Sequence, residues 1–134
     1  MMRLLVLRKA AWTVLGVVDR RGICAVADFL DELVGEAGAD GRQLMALLDL
    51  VAAEGPPRNE RRSRHLLGRV WELKTKRGVR LLYFYDEGKL VVCAAAVRKC
   101  KQAELNRLIT SAKQTRRDYL AARVLGAVAI TEEA

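Results

Sequence analysis

Lys74, Arg80, Arg98 and Lys99, together with Glu72, are the residues of this sequence whose types and spacing could do chemistry. They fall at the ends of three strand-like segments joined by tight turns, so they could converge on one surface of a small sheet. The chemistry they suit is phosphoryl transfer. Cutting RNA without a metal needs a base for the 2′-OH proton, a cationic clamp on the pentacoordinate phosphate and an acid for the leaving 5′-oxygen. Arginine's forked donors match phosphate oxygens in pairs. A lysine crowded by like charges releases its proton more readily, so one in such a cluster could act as base or acid. Glu72 could be the base, or could simply balance Lys74. The same side chains also suit a solvated sheet face held by ordinary ion pairs.

Further cations lie around this group. Arg58, Arg61, Arg62 and Arg64 crowd a polar connector, followed by His65. Arg61, Arg62, Arg64, His65, Lys76 and Lys101 are the candidates for gripping an RNA backbone. The chain of 134 residues carries 24 Lys and Arg against 16 Asp and Glu, a net charge of +8, which favours an anionic partner. His65 is the one histidine, so neither a histidine-assisted nucleophile nor a zinc site stands out. No phosphate-binding glycine loop or dinucleotide fingerprint occurs, and no metal or cofactor is expected. Three cysteines without CxxC spacing argue against a disulfide framework. The apolar opening Met1 to Leu7 stops at Arg8 and Lys9, too early for a secretory core, and no run is long enough to span a bilayer. A cytoplasmic protein without membrane partners is expected.

The elements that must position these residues are legible from periodicity. Trp12 to Val18 reads as a first strand and Asp19 to Gly22 as a turn. Val26, Phe29, Leu30 and Leu33 recur at helical spacing up to Gly35 and Gly38. Asp40 is the expected N-cap of a second helix with Leu44, Leu47, Leu48 and Val51 on one face, stopped by Gly55-Pro56-Pro57. In Val70 to Lys76, Trp71, Leu73 and Thr75 point one way, towards a core, and Glu72, Lys74 and Lys76 the other. Leu81 to Tyr85 is continuously apolar, as a strand covered on both faces would be. Leu90 to Val97 is another interior strand, and a helix is expected from about Ala103 to Arg123. The segment 124–134 is a tail whose structure the sequence leaves open.

In this order the motifs resemble the RelE/ParE superfamily of type II toxins, and within it the phage-derived HigB-like branch. The matching residues are Arg64-His65-Leu66, Gly68, Val70-Trp71-Glu72-Leu73-Lys74, Gly78-Val79-Arg80-Leu81-Leu82-Tyr83-Phe84, Gly88, Val91-Val92, Arg98-Lys99, Ala112-Lys113 and Asp118-Tyr119-Leu120. The resemblance implies an α+β fold in a single domain over residues 1–123: an N-terminal strand, two packed helices, a three-stranded antiparallel meander and a C-terminal helix. It implies metal-independent, ribosome-dependent mRNA cleavage that inhibits translation, and a cognate helix-turn-helix antitoxin over the basic face. Arg80 takes the place of the arginine on the scissile phosphate, Arg98 and Lys99 that of the basic pair after the last strand, and Lys74 that of the basic residue closing its strand. Two departures stand out. Cys93-Ala94-Ala95-Ala96-Val97 lacks the histidine and phenylalanine many relatives carry there, and Ala103-Glu104 replaces Thr-Pro. If the missing histidine is the acid, either Lys99 or Lys101 replaces it or the chain is catalytically weak. The alternatives are a non-catalytic nucleic-acid-binding or phage accessory protein, and a gyrase inhibitor on the same fold.

Overall fold

The structure is a computed structural model that describes residues 1–59 and 61–132. Its strands are β1 (Met2–Lys9), β2 (Thr13–Val18), β3 (Ser63–Leu67), β4 (Val70–Lys74), β5 (Arg80–Asp86), β6 (Leu90–Val97) and β7 (Val128–Thr131). Its helices are α1 (Ala25–Gly35), α2 (Ala39–Glu54) and α3 (Gln102–Val124). The strands make one sheet in the order β3-β4-β5-β6-β2-β1-β7. Helices α1 and α2 cover one face, where Leu30, Leu33, Leu44 and Leu48 pack on Leu73, Leu81, Tyr83 and Val91. Helix α3 covers the other, where Leu105, Ile109 and Ala112 meet Val70 and Leu82, and Tyr119 meets Phe84 and Val92. The result is an α+β molecule in three layers.

The expected meander is present as β4, β5 and β6, paired antiparallel. Its middle strand is apolar and buried from Leu81 to Phe84, because Leu81 and Tyr83 face α1 and α2 while Leu82 and Phe84 face α3; the expected cover stops short of Tyr85, which is 52% exposed. The sheet itself is larger than the sequence suggested, and mixed rather than antiparallel. The opening apolar run is strand β1, with Leu4 and Leu5 buried on opposite faces. The end of the polar connector expected over Arg58 to Arg64 is instead the start of the edge strand β3. An edge strand needs no apolar alternation, and only Ser63 of its five residues is buried. After α3 the chain adds β7, parallel to β1. Strand β2 runs parallel to β6, since two helices and three strands intervene and return the chain in the same direction.

Two local expectations are corrected. Gly38, not Asp40, is the N-cap residue of α2. Asp40 lies in the first turn and accepts from Arg77 Nε at 2.7 Å. Trp71 does face the α1–α2 side, but it is only half-buried, beyond the ends of the helices. Gly55, which follows α2, holds φ at +88°, and a Cβ there would meet the Trp12 ring at 2.6 Å. Glycine is therefore what lets Trp12 lie flat on the chain.

Leu73 is fully buried and Tyr85 is 52% exposed. Leu73→Ala is expected to lower unfolding stability by about 2–5 kcal/mol, whereas Tyr85→Ala should cost about 1 kcal/mol or less. Urea unfolding of both variants checks this, and comparable losses would contradict the packing described.

Candidate nucleic-acid interface

Glu72 is the centre of the basic cluster. Antiparallel register places it between Arg64 on β3 and Leu82 on β5. Its carboxylate is buried, with Arg64 Nη2 at 3.5 Å and Arg80 Nη1 at 3.4 Å. A carboxylate out of water must be paired, and here two guanidinium groups pair it. The pairing also fixes Arg80. Its side chain is 21% exposed, and its buried Nε has no partner among the described residues. Lys74 lies directly across the strand pair from Arg80. A guanidinium anchored on one side by a carboxylate, with donors left over, has the chemistry to pair with an oxyanion.

The face carrying this group is not an open working surface, because α3 roofs it. Arg80 and Lys74 come out at the rim, where the strands outrun the helix. Ala94 and Ala95 lie under α3 beside Leu82, and a bulge there sets Ala95 opposite Leu82 but Cys93 opposite Tyr83. Arg98 does not join Arg80. It faces the other side and pairs with Glu36 and, at 3.9 Å, with Asp40, fastening the end of β6 to the α1–α2 connection. Lys99 and Lys101 are exposed on the link into α3. Lys76 is exposed on the turn after β4, and with Arg62 it lines a groove against α2. Arg61 lies in the turn before β3.

His65 opens onto a region that sequence reasoning missed. Its ring lies 4.9 Å from that of Trp71, and Trp71 lies 6.2 Å from Tyr85. His65 donates from Nε2 to the Gly68 carbonyl, which holds the ring over the turn. These rings form a ridge at the end of the sheet, with Trp12 beside them. A groove of about 690 Å³ lies on each side. One is lined by Arg58 and Arg64, with the carboxylate Glu54. The other is lined by Arg69, Lys89 and Arg116, with Glu87. Strand period alone places Trp71, Tyr83 and Tyr85 on one face. What the sequence could not show is where the helices stop covering it.

The second groove is braced by Asp86, which accepts from Tyr119 Oη at 2.6 Å and from Arg123. Burial pulls the Asp86 carboxyl upward, but the bonds from Tyr119 and Arg123 outweigh it and hold the group below its ordinary value of 3.8. Burial and the bond to Asp86 push Tyr119 up to about 12. Tyr83, buried and bonded to Ser63 at 2.6 Å, is also raised to about 12, chiefly by burial. Among the described residues no three His, Cys, Asp or Glu side chains gather into a metal cluster. No described helix is long and apolar enough to cross a membrane.

Charge divides sharply along the chain. Segment 24–57, which holds α1 and α2, has seven carboxylates and one cation. Segment 58–123, the meander and α3, has eighteen cations and six carboxylates. The sequence profile of the family described as Phage derived protein Gp49-like matches residues 29–117, from within α1 to within α3. No curated protein matches the chain.

Glu72→Ala would leave two guanidinium groups without their shared partner, and about 3–5 kcal/mol of stability should be lost. Urea unfolding that gave wild-type stability would contradict the anchoring role. Asp86 supplies a pH-dependent share. Its folded pKa lies below the unfolded one, so its contribution is full above the ordinary carboxylate value and fades as pH falls through the folded value. Asp86→Asn should therefore melt earlier than wild type at neutral pH, with the difference narrowing in acid. Thermal melts across the acid range measure this, and a pH-independent gap would refute it.

Proposed function

The chain belongs to the family of phage-derived Gp49-like proteins, and on that premise we propose that it is the toxin of a type II toxin–antitoxin pair, of the HigB-like branch, cleaving mRNA on the ribosome without a metal. The observation that carries this reading is Arg80, anchored by buried Glu72 and still 21% exposed directly across the strand pair from Lys74. In the proposed reaction the 2′-oxygen attacks phosphorus and its proton passes to a base. The bond to the 5′-oxygen breaks and that oxygen takes a proton from an acid, leaving a 2′,3′-cyclic phosphate and a 5′-hydroxyl. Arg80 would clamp the phosphorane oxygens, and Lys74, Lys99 or Lys101 would exchange the protons. Glu72 serves as anchor, since its carboxylate already faces two arginines. A helix-turn-helix antitoxin would silence the protein by covering the basic β3 edge.

A second reading is binding without cutting. It is favoured by the burial of Glu72, the carboxylate that would otherwise have been the base. Induced expression followed by primer extension on a reporter mRNA separates the readings. Codon-phased cuts that fall roughly 100-fold or more in Arg80→Ala are expected. Growth arrest with intact mRNA and damaged DNA would point instead to gyrase. Soluble expression without cuts or arrest would remove the toxin reading.

A further inference from the structure

Both tryptophans of the chain, Trp12 and Trp71, lie at the same end of the sheet, beside His65 and Tyr85. This placement is unusual for a core-forming residue type. Tyr85 is 52% exposed, His65 is exposed, and the two indoles are half-buried. Rings left at a surface in contact with one another offer flat apolar faces. Cations stand on either side: Arg58 and Arg64 along one groove, Arg69 and Lys89 along the other. Two carboxylates, Glu54 and Glu87, also line these grooves, and Asp86 is engaged by Tyr119 and Arg123. Aromatic faces between cationic grooves are the arrangement that binds single-stranded nucleic acid, bases on the rings and phosphates on the cations. Duplex bases, already stacked on each other, cannot use it.

We propose that the ridge of His65, Trp71 and Tyr85 stacks a base of a single-stranded RNA whose phosphates lie in the two flanking grooves. The identity of the strand as RNA rests on the function proposed above; the stacking does not. Arg64 links the ridge to the cluster at the rim, because it lines one groove and also reaches Glu72. Tyr85 and Arg80 are five residues apart on one strand and on opposite faces, so roughly 17 Å of sheet separates them. RNA held at the ridge would reach Arg80 by passing around the β3 edge, where Arg61, Arg62 and Arg64 lie.

The test uses tryptophan fluorescence, since Trp71 belongs to the ridge and Trp12 lies beside it. A single-stranded 2′-O-methyl RNA, which cannot be cut, is titrated into the full chain, with single-stranded DNA and an RNA duplex alongside. The single strands should quench the tryptophans, the duplex much less. Tyr85→Ala should weaken single-strand binding roughly 5- to 150-fold, and Tyr85→Phe should restore it. Unchanged affinity in both Tyr85→Ala and His65→Ala, equal binding of duplex, or no quenching by any oligonucleotide would overturn the ridge proposal. Cleavage of a matching natural RNA is scored in parallel. No cleavage with intact, Tyr85-dependent binding would sink the nuclease reading and leave the ridge standing. Normal cleavage with Tyr85-independent binding would do the reverse.

Discussion

A seven-stranded sheet has two faces to cover, and the described residues supply three helices to cover them with. Seven strands about 4.8 Å apart span roughly 29 Å. A helix with its side chains is about 10 Å wide, so α1 and α2 together shield roughly 20 Å of one face and α3 about half that on the other. The remainder must stay open. Where it opens follows from the connections. Helices α1 and α2 follow β2 directly and settle over β2, β1 and β6, which leaves the β3–β4 end and the tip of β5 uncovered. Trp71 and Tyr85 are consequently half-wet although they share a face with fully buried Leu73 and Leu81. The surface available for recognition is thus what the helices could not reach.

The same limit explains the buried charge. Beneath α3 the face of β4 and β5 is apolar at Val70 and Leu82 but carries Glu72 and Arg80 a step further along. A carboxylate in that position would be severely destabilising alone. Register supplies the remedy, since Arg64 sits opposite Glu72 and Arg80 is close enough across the next strand pair. Hydrophobic residues of similar volume could have filled this space without loss. A charge network kept at the rim of a roofed face therefore points to a role for the arginines beyond packing. The small side chains of Ala94 and Ala95 belong to the same region. They let α3 lie close over the sheet, and they leave no ring or imidazole there to take part in chemistry.

Strands whose faces are both buried, and helices with regular apolar spacing, were legible in the sequence. Leu81 to Phe84, Val91 to Cys93 and the leucines Leu44, Leu47 and Leu48 of α2 are the clear instances, because burial and pattern coincide there. Strands at edges were not. Ser63–Leu67 carries its pairing in backbone hydrogen bonds, which no side-chain pattern records, and Val128–Thr131 is four residues long. The opening run was ambiguous for the opposite reason, since a short apolar stretch suits a strand, a buried helix turn or the start of a leader. At the site, residue type identified Arg80 and Glu72 and strand spacing brought them together. The separation of Arg98 was invisible, because one bulge and one step past the end of β6 turn its side chain to the acidic helices. The aromatic ridge was invisible too, since an aromatic at period two reads as core until the helix ends are known.

Electrostatics gives the open edge its direction. Several cations near α1 and α2 are paired with carboxylates there: Arg98 with Glu36 and Asp40, Arg77 with Asp40, and Arg8 with Asp49. The helical layer is acidic and repels a polyanion, while the meander and α3 attract one. Charges separated by much more than the roughly 8 Å screening length act little on each other in physiological salt, so the approach of a strand is decided by the local sign. That sign is positive from the turn before β3, along the edge strand, to Arg69 and the exposed side of α3. Under the proposed function, a nucleic acid drawn to this edge would meet the rings on one face and Arg80 on the other. The acidic helices would thereby steer such a ligand by exclusion, while the edge strand, the least legible element in the sequence, would carry the path between the ridge and Arg80.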